Sequence, residues 1–160
     1  MRISENFTLK ELTISQTAVR KQYKEQFDPS AEIINNLKTL AEEILQPARA
    51  RLGCPIRVSS GYRCLRVNKS IGGSSTSDHV KGLAADVHNT NGSDIEIAKV
   101  ILLMGLPFKQ MIIEFGTLAE PSWVHISYDK FNNKQQILRA YKQGRATKYK
   151  TLTRKDILDV

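Results

Sequence analysis

The clearest pattern of apolar and polar residues lies between residues 30 and 52. Its apolar positions are three and four residues apart, as on one face of an α-helix: Ile33, Ile34, Leu37, Leu40, Ala41, Ile44 and Leu45. Ser30 stands at the position of an N-cap, and Gly53 stands where such a helix would end. Because Pro47 lacks the N–H that a helix interior needs, the pattern predicts a helix with a kink or break before residue 48.

Two further helices are predicted near the start and in the middle of the chain. The segment FTLKELTISQT contains Thr8 and, three residues later, Glu11, which is the pattern of a capping box at the start of a short helix. The segment SDIEIAKVILLMGL also has helical spacing, with Ser93 as the predicted N-cap. Between these helices, the stretch NKSIGGSSTSD is rich in Gly and Ser and predicts a loop.

Three short runs have the composition of β-strands. The first, PIRVSSGYR, places Ile56 and Val58 on one face. The other two, QMIIEF and WVHISY, are separated by GTLAEPS, which predicts a hairpin. Together the elements predict an α+β fold with a small, mostly antiparallel sheet flanked by helices.

Length and composition are typical of one globular domain. The chain has 160 residues, 41% of them hydrophobic and 25% charged, so residues 1–160 are predicted to form a single domain. A basic segment from about residue 132 is predicted to be a solvated tail. The formal net charge of +8 suits an anionic partner, either nucleic acid or a bacterial wall. No nucleic acid is expected, because the patterns of helix-turn-helix, zinc-finger and RNA-binding modules are missing.

The sequence shows neither a secretory leader nor a run of the roughly 18 apolar residues that a membrane span needs. We therefore expect a protein made in the cytoplasm and without a membrane span. The two cysteines, Cys54 and Cys64, do not form a C-x-x-C pair. They could meet across neighbouring strands, but free thiols are the expected state in a protein without a leader.

Candidate chemistry centres on SDHVKGLAAD, which places His79 seven residues before Asp86 with small residues between them. His125, in WVHIS, can supply a third ligand. Two histidines and one carboxylate leave the fourth position of a tetrahedral zinc ion open for water, as in catalytic zinc sites. A single histidine in an apolar strand is more often structural, so the hypothesis depends on the joint pattern. His88 is placed outside the ligand set, because a turn begins there.

The joint pattern resembles the peptidase M15 family. SDHVKGLAAD fits S-x-H-x-x-G-x-A-x-D at every fixed position, with SSGYR before it and WVHIS after it. The family's zinc peptidases include D-Ala-D-Ala carboxypeptidases and peptidoglycan endopeptidases, and the chain is most similar to the single-domain, phage-type branch. The resemblance implies a D-Ala-D-Ala peptidase/Hedgehog-like fold and one zinc ion per chain, held by His79, Asp86 and His125.

The resemblance also implies roles for residues around the metal. Glu114, at the end of QMIIEF, is the predicted catalytic base, because the hairpin would bring it beside His125 and related peptidases have a glutamate on this strand. Glu120, five residues before His125, is the alternative base. Arg63 is expected to bind substrate and to stabilise the oxyanion. Ser77 is expected to support the loop around the first ligand at the substrate-binding site.

The function implied by the resemblance is hydrolysis of peptidoglycan stem peptides, which are the expected partner. The bond cut is either the terminal D-Ala-D-Ala bond or an internal one of the L-Ala-D-Glu type, and the sequence leaves this open because it cannot show the depth of a pocket. The alternative is a catalytically silent domain of the same fold that binds zinc or cell wall. A monomer is the expected state, and lysis or holin-type release is the expected route to the wall.

Overall fold

The computed structural model describes residues 1–160, which form seven α-helices and six β-strands. The helices are α1 (Leu9–Leu12), α2 (Gln16–Lys21), α3 (Ala31–Leu40), α4 (Gln46–Leu52), α5 (Leu65–Ser70), α6 (Ile95–Leu103) and α7 (Arg154–Leu158). The strands are β1 (Ile56–Ser60), β2 (Ala84–Asn89), β3 (Gln110–Glu114), β4 (Trp123–Ser127), β5 (Gln136–Gln143) and β6 (Ala146–Thr151). None of the helices has the length and apolar character that crossing a membrane requires. The predicted α+β class is confirmed.

The six strands form one sheet in the order β1-β2-β4-β3-β5-β6. All neighbours pair antiparallel except β3 and β5, which are parallel. β3 and β4 form the predicted hairpin, in which Glu114 lies opposite Trp123. The sheet is therefore mostly antiparallel, as predicted, and β4 and β3 lie at its centre.

One face of the sheet belongs to the hydrophobic core. Alternate residues of the central strands pack there with α3, α4 and α6: Ala85, Val87, Met111, Ile113, Val124 and Ile126. Because side chains along a strand alternate between the two faces, Asp86, His125 and Glu114 point to the opposite face. Strand β2, which carries Asp86, and strand β4, which carries His125, are nevertheless buried on both faces. These polar residues therefore lie among buried neighbours.

The helix predicted between residues 30 and 52 forms as α3 and α4, joined by one wider turn. Ser30 caps α3 with its side chain, as predicted. Further along, the Gln46 N–H donates to the carbonyl of Ala41, five residues back instead of four. This wider turn ends directly before Pro47, whose ring would clash in a regular helix. The predicted break is therefore a local bulge in a helix that continues to residue 52.

The C-terminal segment is not the solvated tail expected from about residue 132. It forms β5, β6 and α7, with β5 paired to β3 and β6 paired to β5. Ile137, Ala140 and Ile157 from this segment are buried. The prediction was wrong because the segment has many exposed basic residues and few buried apolar ones, so its two strands show no clear alternation.

Two smaller differences concern helix starts. The loop predicted over NKSIGGSSTSD begins as helix, because α5 extends to Ser70. This short helix has no side-chain cap at Cys64, so the usual signal of a helix start is missing. α6 begins after Asp94 rather than after the predicted cap Ser93. Both cysteines, Cys54 and Cys64, are free thiols, as expected.

Candidate metal centre

Three candidate ligands lie side by side on the polar face of the sheet. Asp86 in β2 and His125 in β4 are directly opposite each other in an antiparallel pair. His79 lies on a turn of 3-10 helix, Asp78–Lys81, just before β2. Gly82 ends this turn with a φ of 71°, a left-handed conformation that glycine adopts without strain. The turn and the strand pairing thus bring together residues that are far apart in the sequence.

The ligand atoms are close enough to share one ion. His79 Nε2 lies 3.2 Å from His125 Nδ1 and 3.3 Å from Asp86 Oδ1. His125 Nδ1 lies 3.1 Å from the same Asp86 oxygen. A tetrahedral zinc ion with bonds of about 2.0–2.1 Å has ligand atoms roughly 3.3 Å apart. The three side chains, all buried, therefore fit a single metal ion.

A hydrogen bond selects the tautomer of His79. Its Nδ1 lies 2.7 Å from the carbonyl oxygen of Gly61, which can only accept, so Nδ1 holds the proton and Nε2 presents a lone pair to the other ligands. Gly61 has a steric role as well, because a Cβ at this position would lie 2.4 Å from the carbonyl oxygen of Leu12. The SSGYR segment therefore orients a candidate ligand through its backbone.

Arg63 holds the second carboxylate oxygen of Asp86. Its Nη2 donates to Asp86 Oδ2 at 3.1 Å, its Nε to Ser60 Oγ at 2.9 Å and its Nη1 to Asn68 Oδ1 at 3.3 Å. These contacts use three of the five N–H donors of the guanidinium group. Asp86 is thereby oriented with Oδ1 toward the histidines, and two donors of Arg63 remain for a ligand.

The electrostatic environment favours a neutral His79 and an ionised Asp86. Burial lowers the pKa of His79, and the attraction of Asp86 opposes this shift only in part. Burial alone would raise the pKa of Asp86, but its close contacts with His79 and His125 hold that pKa well below its usual range. A neutral imidazole and a carboxylate are the forms that bind a metal.

Glu114 lies on the same face, close to the ligands. It follows Ile112, the residue opposite His125, by two positions, so its side chain points to the same face. Burial raises the pKa of Glu114 from 4.5 to about 7, with Asp86 adding to the rise and with His125 and Arg63 opposing it. A carboxyl group with this pKa can accept and return a proton near neutral pH.

The other two predicted residues differ in position. Glu120, the alternative base, is exposed on the turn between β3 and β4, and its backbone N–H donates to Thr117 Oγ1 at 3.0 Å. It does not line the cleft that contains the ligands. Ser77 does line this cleft, and its Oγ accepts the backbone N–H of His79 at 3.3 Å.

Two polar residues near the ligands belong to separate networks. His88 Nδ1 lies 3.0 Å from Asp94 Oδ2, and His88 Nε2 lies 3.0 Å from Ser59 Oγ. Asp78, next to a ligand in sequence, pairs with Lys109 at 2.8 Å. These contacts use the side chains within the protein, and His88 is outside the ligand set, as predicted.

The ligands and Glu114 share one cleft of about 410 Å³. Its walls include Gln110, Trp123 and Tyr149. The indole Nε1 of Trp123 is buried and has no hydrogen-bond partner. Sequence reasoning missed Tyr149, because this residue reaches the cleft only through the pairing of β5 with β3 and of β6 with β5.

These features define a candidate mononuclear metal centre with a neighbouring carboxyl group, set on the sheet of an α+β domain. Such a combination is typical of metal-dependent hydrolases. The sequence profile described as Peptidase M15 matches residues 5–127, so the chain belongs to the peptidase M15 family. The match includes all three candidate ligands and Glu114, and it ends before β5. No curated protein matches the chain.

Proposed function

We propose that this protein is a zinc-dependent peptidase that hydrolyses peptidoglycan stem peptides. The observation on which the proposal rests is a buried ligand set, His79, Asp86 and His125, that shares a cleft with Glu114. Membership of the peptidase M15 family supports the class of reaction. The stem peptide comes from the resemblance of SDHVKGLAAD, SSGYR and WVHIS to family members that act on peptidoglycan.

In the proposed reaction, Glu114 moves the protons. A zinc ion held by the three ligands would supply an activated water and polarise the scissile carbonyl. Glu114 accepts a proton from the attacking water and donates it to the leaving amine. A pKa of about 7 for Glu114 makes both transfers feasible near neutral pH.

Arg63 has two parts in the proposed reaction. It holds Asp86 in the orientation that a metal ligand needs, and its two remaining N–H donors contact the substrate carbonyl as negative charge develops there. Lysine could not do both, because it lacks the planar fork of donors. Ser77 keeps His79 in place and forms part of the substrate-binding wall.

The walls of the cleft favour an internal peptide bond over the terminal D-Ala-D-Ala bond. A carboxypeptidase needs a cation that binds the terminal carboxylate of its substrate. Arg63 is the only lysine or arginine among the residues that line the cleft, and three of its donors are already used. An endopeptidase does not need a cation for a chain terminus.

The test is mass spectrometry of stem pentapeptides and muropeptides after incubation with the zinc-loaded protein. We expect an internal cleavage product, and no product after chelation. Loss of one terminal alanine would identify a carboxypeptidase and overturn the internal cut. Zinc binding without cleavage of any stem peptide would identify a silent binding domain and overturn the proposed function.

The base is tested in the same assay with a matched pair of variants. Glu114→Gln removes the proton acceptor while keeping the size of the side chain, and we expect the rate to fall by a factor of roughly 100 or more. Glu120→Gln makes the same chemical change on the exposed turn and is expected to leave the rate unchanged. The reverse result would assign the base to Glu120.

A further inference from the structure

The C-terminal hairpin of β5 and β6 contributes one wall of the cleft. Trp123, Glu114, Ala140 and Tyr149 are successive cross-strand partners on β4, β3, β5 and β6. Residues directly opposite each other in paired strands point to the same face of the sheet. The row therefore extends the polar face from the base toward the outer edge, and Tyr149 stands at its end.

The residue between Glu114 and Tyr149 allows their side chains to approach. Two strand spacings separate them, about 10 Å, and the residue in between is Ala140, which is fully buried. A methyl group leaves room above itself for two longer side chains. Burial raises the pKa of Tyr149 and the charge of Glu114 adds to the rise, which agrees with the position of both side chains on one face.

Tyr149 is available to a ligand. The residue is 57% exposed although it lines the cleft. The residue also lies outside residues 5–127, which the family profile matches. Membership of the family therefore gives Tyr149 no role.

We propose that Tyr149 is a substrate-binding residue for the part of the peptide that follows the scissile bond. The proposal rests on the proposed function, in which Glu114 donates a proton to the leaving amine. The ligands lie on the β2 and β4 side of Glu114, and Tyr149 lies on the β5 and β6 side. The leaving residue therefore extends from Glu114 toward Tyr149. The phenol ring packs against this residue, and the hydroxyl donates a hydrogen bond to its carbonyl or carboxylate oxygen.

The experiment measures hydrolysis and binding of synthetic stem peptides by three variants of the zinc-loaded full chain. Tyr149→Ala is expected to raise KM about 10-fold with a smaller change in kcat, since it removes both packing and a hydrogen bond. Tyr149→Phe keeps the ring and is expected to raise KM about three-fold to five-fold. Tyr141→Ala is the matched control, because Tyr141 lies on β5 opposite Lys148, on the other face of the hairpin.

Shortened peptides test which side of the substrate Tyr149 contacts. Removing residues after the scissile bond is expected to raise the KM of wild type by a larger factor than the KM of Tyr149→Ala. Removing residues before that bond is expected to raise the KM of both proteins by the same factor. The inference would be overturned if Tyr149→Ala and Tyr141→Ala raised KM equally. It would also be overturned if the two proteins differed in their response to removal of residues before the scissile bond instead of after it.

A binding measurement separates this inference from the proposed function. Calorimetric titration of zinc-loaded Glu114→Gln with a stem pentapeptide reports binding without turnover. Weaker binding after Tyr149→Ala is added to Glu114→Gln supports the inference even if wild type cleaves no peptide, and in that case only the proposed function fails. Unchanged binding, or no binding in either protein, overturns the inference.

Discussion

Two of the candidate ligands are oriented by contacts that the protein itself supplies. The Gly61 carbonyl sets the proton of His79 on Nδ1, and Arg63 holds Asp86 through the oxygen that faces away from the histidines. Both contacts come from one short segment after β1. A ligand set arranged in this way is ready before a metal arrives, which lowers the conformational cost of binding.

Substitution of single ligands is expected to abolish tight zinc binding. His79→Ala and His125→Ala each remove one of three donors, and His88→Ala is the control because it removes a histidine outside the set. Metal analysis after dialysis should give about one zinc per chain for wild type and for His88→Ala, and much less for the other two. Zinc should also raise the melting temperature of wild type and of His88→Ala, but not that of the two ligand variants. Full zinc content in His79→Ala would contradict the assigned ligand set.

Ionisation of Glu114 is expected to destabilise the metal-free protein. Its folded-state pKa of about 7 lies above the ordinary value of 4.5. Between these values the folded state binds more protons than the unfolded state, so the free energy of unfolding falls as pH rises. The loss is absent below pH 4.5 and complete above about pH 7. Because Glu114 is partly exposed, we expect about 1–2 kcal/mol rather than the full effect of the shift.

Urea unfolding with a chelator at pH 4.5 and pH 8 measures this loss. Glu114→Gln cannot ionise, so the variant should gain about 1–2 kcal/mol over wild type between the two pH values. Other titrating groups are common to both proteins and cancel in the comparison. An equal pH dependence of the two proteins would show that Glu114 has an ordinary pKa.

Among the elements, α7 shows that the C-terminal segment is structural. Its Ile157 is fully buried and belongs to the main hydrophobic core. We expect Ile157→Ala to lower the free energy of unfolding by about 2–4 kcal/mol, because it leaves a cavity. Phe131→Ala, at a side chain that is 87% exposed, is the control and should change it by less than about 0.5 kcal/mol. Similar stability of both variants would restore the view of a solvated tail.

Elements with strong local signals could be predicted from the sequence. Ser30, the apolar spacing after it and the two runs of the β3–β4 hairpin each specify structure within a few residues. α5 could not be predicted, because a helix of six residues without a capping side chain has little local signal. β5 and β6 could not be predicted either, because their exposed faces show no clear alternation.

The site could be predicted only as far as local motifs reach. His79 and Asp86 stand in one motif, whereas His125 stands in a separate strand and was tied to them only by the joint pattern that resembles the family. The position of Tyr149 depends on two strand pairings, one of them parallel, between segments distant in sequence. The use of Arg63 donors within the protein likewise depends on the packing of α5, which brings Asn68 to the guanidinium group.

For the whole molecule, the excess of basic residues predicts salt-dependent association with anionic cell walls. The net charge is +8, and the exposed Lys148 and Lys150 lie on the face of β6 opposite Tyr149. Sedimentation with purified walls should fall about 10-fold between 50 mM and 500 mM NaCl, because salt screens exposed charges. The double variant Lys148→Glu/Lys150→Glu should sediment less and still hydrolyse small soluble peptides at the wild-type rate. Association that does not respond to salt would exclude this electrostatic contribution.

The order of the strands separates two parts of the cleft that can change independently. β2 and β4 hold two candidate ligands, whereas β5 and β6 are added at the outer side of β3. Substitutions at Tyr149, the one residue of these two strands that lines the cleft, can therefore alter the wall next to the base without contact with the metal ligands. In protein engineering, Tyr149 is the natural position to randomise in libraries that seek new peptide preferences. In natural variation, it is a position where relatives with the same metal centre can come to prefer different substrates.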